Sequence, residues 1–215
     1  MDLTPVWLSL KLALTSVALL LALATPLAWW LAHTRSRLRV LVEAIVALPL
    51  VLPPTVLGFY LLILLGPHGP VGAPWVRITG NSLTFSFLGL VVSSVLYSLP
   101  FAVQPIHASL EAVGRGPLEA AWTLRASPLD AFWSVGLPMA FRGFLTAAVL
   151  AFAHTLGEFG VVLMVGGNIP GQTRVLSIAI YEEVETLNYA TAHALSLGLL
   201  AFSFCALLLV YGINR

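Results

Sequence analysis

Five windows of this chain, at about 8–32, 41–65, 83–108, 139–165 and 191–213, are long and apolar enough to cross about 30 Å of hydrocarbon at about 1.5 Å per residue. No other feature limits the fold so strongly. Backbone in lipid finds no water, so a spanning segment must satisfy its own amide groups, as a helix or a closed barrel does. None of the windows alternates polar and apolar residues as a barrel strand would, which leaves helices. The composition agrees, with 59% hydrophobic and 9% charged residues, against roughly a quarter charged in a soluble domain. The sequence therefore predicts an all-α integral membrane protein, one transmembrane domain over 1–215. It is a bundle of five spans, with a short sixth helix near Glu182 to Asn188 left open.

The net charge of +1 gives no basic field for nucleic acid, so what matters is where the ten Lys and Arg stand. If the chain starts outside, Arg35, Arg37, Arg39, Arg115, Arg125, Arg142 and Arg215 fall on one side, and Lys11, Arg77 and Arg174 on the other. By the positive-inside rule the first side is cytoplasmic, with the N-terminus outside and the C-terminus inside. The lone Cys205 allows neither a disulfide framework nor a thiolate cluster within the chain. The first apolar run lacks a basic lead and continues for about twenty residues beyond Lys11, longer than a signal core, and is read as a retained span.

Residues 111–138 interrupt the apolar sequence on the charge-rich side. Pro117 suits a first helical position after Gly116, and Leu118, Ala121, Trp122 and Arg125 follow at helical spacing, so one short helix has a mostly apolar face. Ser127-Pro128-Leu129-Asp130 supplies a cap, a first-turn proline and an acid three residues on, and Pro138 is expected to close this second helix. Two short helices held outside the bilayer suit docking.

At these residues the chain resembles the inner-membrane permeases of ABC importers. Their cytoplasmic loop reads Glu-Ala-Ala, three residues, Gly, nine residues, Ile, one residue, Leu-Pro. Here Glu119-Ala120-Ala121 begins the pattern, and Val135, Leu137 and Pro138 fall at the expected distances. Arg125 replaces the glycine, and an arginine at positive φ costs about 1 kcal/mol or more, so the turn is expected nearer Ala126 or in a different shape. The resemblance implies that Leu118, Ala121 and Trp122 fill a groove on an ATPase partner, with Glu119 at its edge.

Two further segments break their apolar windows. Pro49, Pro53 and Pro54 each remove a backbone donor from the second span, and the freed carbonyls must face protein or water. The segment either lines a passage, with Thr55 and Gly58, or only shapes packing. In the fourth span Glu158 costs about 2.5–3.5 kcal/mol unless it has a partner or water. His154, four residues earlier, is expected on the same helical face. The pair fits a proton relay, or Glu158 is a pin accepting hydrogen bonds where Gly157 and Gly160 admit a neighbouring helix. Two ligands without a third make no metal site. Ser93, Ser94 and Ser98 of the third span, with Thr55 and Thr155, either line a wet path or bond to carbonyls of their own helices. Asn168, Gln172, Thr173 and Arg174 form a donor-rich external turn that suits a mouth.

Residues 48–58, 156–160 and 168–173 are similar to blocks of the molybdate/tungstate importer permeases, so the resemblance covers almost the whole chain. Sulfate and thiosulfate permeases look similar over the same loop. The resemblance implies a homodimer that carries an oxyanion by alternating access. An external oxyanion-binding protein would deliver the cargo, and two cytoplasmic P-loop ATPase subunits would hold the ATP and Mg. This sequence has no G-x-x-x-x-G-K-[ST] and no cofactor site of its own, so it is read as a transport subunit rather than an enzyme. The rival from another class is an ion-coupled secondary transporter resting on His154, Glu158 and the broken second span.

Overall fold

A computed structural model describes residues 2–213; Arg215, placed above with the cytoplasmic charges, lies outside the described residues. The chain is helical throughout its ordered elements: α1 (Thr4–His33), α2 (Leu38–Val51), α3 (Pro54–Leu65), α4 (Gly72–Thr79), α5 (Phe87–Val113), α6 (Gly116–Thr123), α7 (Pro128–Ala131), a π turn (Phe132–Gly136), α8 (Leu137–Gly157), α9 (Gly160–Gly166), α10 (Leu176–Glu185) and α11 (Tyr189–Ile213).

Three long helices make the core, and each buries a row of residues four or seven apart. On α1 the row is Leu8, Leu12, Ser16, Leu20, Ala24 and Ala28. On α5 it is Leu90, Ser94, Ser98, Ala102, Ile106 and Leu110. On α8 it is Ala140, Ala147, Ala151 and Thr155. Small residues in these rows let backbones approach, which is how helices gain contact where lipid removes the hydrophobic drive. The approach is tightest at Gly143, where a Cβ would stand 2.3 Å from Ser109 Cβ, and the Ser109 hydroxyl there donates to Ala140 O at 2.9 Å.

Two sets of contacts define the two sides of the bundle. Arg115 Nη2 donates to His33 O at 2.8 Å and Arg39 Nη2 to Glu111 Oε1 at 2.7 Å. The end of α1, the starts of α2 and α6 and the end of α5 thus share one side. Opposite, Leu176 N donates to Ser9 Oγ at 2.7 Å and Phe85 N to Val165 O at 2.9 Å, which gathers the starts of α1, α5 and α10 and the end of α9. The chain must therefore change sides between α1 and α5. The α2–α3 pair does this although it is bent by 113° at the Leu52–Pro53 junction. Four long apolar helices and this bent pair, counted as one span, make five crossings.

Several expectations need correction. The second window is two helices rather than one kinked span, because Pro53 and Pro54 stand together; Pro49 alone is carried inside α2. The fourth window divides too, with α8 ending at Gly157 and α9 beginning at Gly160. Pro138 closes nothing. The helix passes through it by way of the π turn, whose shifted ladder sends Leu137 N to Phe132 O just before the residue that has no N–H to give. The loop is accordingly one free helix, α6, followed by the entry to a span. The short helix left open near Glu182 is α10, which ends at Glu185 and at ten residues is too short to cross.

Candidate functional site

The two broken spans meet. A Cβ on Gly160 would stand 2.7 Å from Pro54 Cβ, and one on Gly58 would stand 2.8 Å from Met164 Cβ and 3.3 Å from Val161 Cα, so α3 and α9 lie side by side. Around the first break Leu52 and Pro53 are extended, at ψ 136° and 137°. The carbonyls of Ile45, Pro49 and Leu50 each face a proline four residues on, so none can receive a helical bond. Pro53, Pro54 and Thr55 are exposed, and Gly157 at the second break is exposed with open space beside it. Irregular backbone at this depth does not face lipid. This surface therefore belongs to a wet passage or to another protein chain.

Behind it lies a buried polar cluster. Ser98 Oγ is 2.8 Å from His154 Nδ1 and 3.1 Å from Thr155 Oγ1, and the His154 ring stacks on Phe101 with centroids 4.1 Å apart. His154 is thus committed to α5. It shares no helical face with Glu158, because the helix ends between them and Glu158 is itself extended at ψ 132°. A relay along one face is therefore not built. The pin reading keeps one contact. Glu158 is 4% exposed, and the Ser94 hydroxyl interacts with its carboxyl, yet Ser94 Oγ and both carboxyl oxygens make no hydrogen bond of ordinary geometry among the described residues. What is fixed is the backbone at this point, since Ser177 Oγ donates to Glu158 O at 2.5 Å. Ser93 bonds back to Gly89 O and Leu90 O of its own helix and is no part of a path.

On the side shared by the ends of α1 and α5, α6 presents Glu119, Ala120 and Trp122 outward, with Ala121 half-buried. Leu118 is only 1% exposed, so it anchors the helix to its own bundle and does not enter a partner groove. The turn falls on Arg125, at φ 68°, and not at Ala126. Ala126 N donates to Ala121 O and Arg125 N to Trp122 O, both bonds of a Schellman ending, so the arginine occupies the left-handed position that favours glycine. The cap read at Ser127 is complete: its Oγ accepts from Asp130 N, and Asp130 Oδ2 accepts from Ser127 N, each at 3.2 Å. Two arginine ties hold the loop to the bundle, Arg115 to His33 O and Arg39 to Glu111, with Glu43 also on Arg39 at 2.7 Å. Sequence reasoning missed three exposed apolar side chains beside α6, Leu124 at 84%, Leu129 at 70% and Trp133 at 64%. The i, i+4 spacing of Leu129 and Trp133 was the available signal. Leu137 is half-buried and Pro138 exposed at the head of α8.

At the opposite side Arg174 Nε donates to Asn168 Oδ1 at 2.7 Å and lies 3.2 Å from Glu182 Oε2, which also accepts from Asn168 Nδ2 at 3.2 Å. Gln172 is exposed, whereas Thr173 is buried and its hydroxyl accepts from Ile169 N at 3.1 Å. Thr173 therefore shapes the turn rather than offering a donor to the outside.

With this geometry in place, the chain matches over residues 24–215 the family of binding-protein-dependent transport system inner membrane components, and it belongs to that family. It is 56% identical over 214 residues to the molybdenum transport system permease protein ModB of Azotobacter vinelandii, covering 100% of this chain and 95% of the relative. With the protein of the same name from Haemophilus influenzae it shares 37% identity over 186 residues, 86% of this chain and 81% of the relative. Among solved structures it is similar in fold to a chain of a bacterial alginate ABC transporter bound to a periplasmic protein, with a TM-score of 0.77 at 18% identity, covering 99% of this chain and 78% of that one. A chain of the inward-facing MetNI methionine ABC transporter gives 0.74 at 20% identity, covering 97% and 92%.

Proposed function

We propose that this protein is the membrane-spanning permease subunit of an ATP-driven oxyanion importer, carrying molybdate and with it tungstate. Its full-length identity to a protein named for molybdenum transport supports the cargo. The observation that carries the mechanism is the loop at Glu119, with one apolar residue anchored inward and Glu119, Ala120, Trp122, Leu124, Leu129 and Trp133 left outward. Exposed apolar residues rimmed by charge mark an interaction face. Two P-loop ATPase subunits holding ATP and Mg grip this face, and hydrolysis lies on them, not on this chain. That side is cytoplasmic, so α1 starts outside and α11 runs inward.

A second copy covers the exposed break at Pro53–Thr55, and the passage runs between the two copies. Pro53, Pro54, Thr55, Gly58, Gly157 and Gly160 form its hinge lining, and Ser94, Ser98 and Glu158 stand behind it. The Asn168–Gln172–Arg174 turn meets an external oxyanion-binding protein. Few fixed charges line this route, which suits release after capture elsewhere, because a tightly held dianion would not leave. Work is done only if the ATP-bound and ATP-free partners hold the two permease conformations with different affinity.

The test is reconstitution of the chain with its ATPase, offering receptors loaded with molybdate, tungstate or sulfate. Stimulation of hydrolysis by the molybdate-loaded receptor is expected. Stimulation by sulfate alone would reassign the cargo, and uptake by this chain alone in an ion gradient would replace the importer with a secondary transporter.

A further inference from the structure

Helices α1 and α11 both pack on α8 and α10 but make little contact with each other. The gap between them is a groove of about 360 Å³. Its α1 wall is Leu3, Val6 and Leu10, its α11 wall is Leu195, Leu199 and Phe202, and Leu156 and Leu176 form the floor. Gly198 widens it, since a Cβ there would meet nothing within 4 Å. The α1 wall covers residues 3–10, about 10 Å at helical rise, and the α11 wall, residues 195–202, begins six residues after the start of its helix at Tyr189. At its open end the groove continues into a polar cleft of about 290 Å³ lined by Asp2, Arg174, Glu182, Glu183 and Thr191, and Leu195 belongs to both.

The two cavities together are amphipathic, and their order matches the bilayer: charge at the level where α1 and α11 begin, aliphatic side chains below. The charges also have an arrangement. Arg174 spends its Nε on Asn168 and Glu182, and its terminal nitrogens make no hydrogen bond among the described residues. Asp2 and Glu183 line the same cleft; neither makes a salt bridge among the described residues, Arg174 acts on Asp2 only through space, and Asn188 Nδ2 donates to Glu183 Oε2 at 2.6 Å. Hydrogen bonds from the Thr4 side chain and backbone hold the Asp2 carboxyl below its ordinary range, so it stays anionic.

We infer that this composite cleft is a binding site for a phospholipid with an amine headgroup, its phosphate on Arg174, its ammonium between Asp2 and Glu183, and one acyl chain lying between α1 and α11. One cation for the phosphate and two carboxylates for the amine suit an ethanolamine headgroup. An anionic glycerol headgroup would leave both carboxylates unmatched and repelled, and the bulk of a trimethylated amine would keep its charge away from them. The site is separate from the passage at Pro54 and Gly160 and shares only Arg174 with the turn proposed to meet the binding protein, where Arg174 Nε supports Asn168 and its terminal nitrogens face the cleft.

The experiment uses the full chain in vesicles doped with phosphatidylethanolamine, phosphatidylcholine or phosphatidylglycerol probes that carry a photoreactive group in the acyl chain, followed by mapping of the labelled residues. Labelling by the ethanolamine probe is expected to concentrate on 3–10 and 195–202. It should fall about five-fold in a D2N/E183Q double variant, as loss of a charge-assisted contact implies, while labelling by the glycerol probe, relieved of the same repulsion, does not fall. Gly198→Leu, which fills the groove, should remove the concentrated labelling, with unaltered labelling elsewhere on the chain reporting an intact fold. Equal labelling by all three probes would show bulk lipid only and overturn the site. Absence of labelling there, with disulfide trapping between copies carrying Leu199→Cys, would show that a second copy fills the groove and would equally overturn it.

Discussion

Gly160 stands against Pro54 so closely that a Cβ on the glycine would lie 2.7 Å from the proline Cβ. Through this contact the two interrupted spans meet at their breaks, and α3 and α9 form one pair beside the three-helix core of α1, α5 and α8. Enlarging either glycine of the pair should wedge it apart. Gly160→Val and Gly58→Leu are each expected to lose about 1–3 kcal/mol by overpacking, and uptake with it, measured as thermal stability of the purified chain and transport in cells. Unchanged stability would show that α3 and α9 are not packed as described.

Glu158 is buried, with the Ser94 hydroxyl beside its carboxyl but no hydrogen bond of ordinary geometry to either oxygen among the described residues. Replacing it by leucine removes an unsatisfied polar group, so Glu158→Leu should raise stability by about 1–3 kcal/mol while abolishing uptake, and Glu158→Gln should retain more uptake than Glu158→Leu. Equilibrium or thermal unfolding of the purified variants checks the sign. A loss of stability in Glu158→Leu would reveal a partner for the carboxyl.

Arg125 holds φ 68° at the end of α6. Arg125→Gly should gain about 1 kcal/mol, because glycine has no Cβ penalty there, and Arg125→Val should lose at least that much. Uptake by the glycine variant is expected to remain, which separates a role for the backbone from one for the guanidinium. If the glycine variant instead loses uptake at unchanged stability, the side chain itself is what the partner reads.

These cases show what was legible in the sequence. The number of spans and the short helix α6 follow from hydrophobic length and from cap chemistry, both of which are local. The Ser127 box was readable because it needs only four consecutive residues. The fate of Pro138 was not, because a π turn depends on how Phe132 and Gly136 seat against Trp29, where a Gly136 Cβ would stand 3.0 Å from the ring. The role of Leu118 was misassigned for a related reason: a mostly apolar helical face does not say which of its residues meet the chain's own bundle and which meet a partner. His154 and Glu158 looked paired at i, i+4, a spacing that holds only while the helix continues, and here it stops at Gly157.

The Arg39–Glu111 contact joins the root of the loop to α2 at 2.7 Å, with side chains 32% and 47% exposed. An ion pair this accessible is screened by water and adds little to stability, so its value lies in position. Arg39→Glu should uncouple ATP hydrolysis from uptake with little loss of protein, and the R39E/E111R exchange should restore coupling. Failure of the exchange, with the doubly substituted chain folded and inserted, would mean that the tie carries no motion.

The central claim is that the face bearing Glu119 and Trp122 is gripped by an ATP-hydrolysing partner. Its most direct measurement is co-purification of a P-loop ATPase with the wild-type chain and with Glu119→Lys and Trp122→Asp, beside oxyanion uptake by the same cells. The account predicts an ATPase bound to the wild type, lost or much reduced in both variants, and uptake abolished while each variant remains in the membrane. Full co-purification and normal uptake by both variants would contradict it.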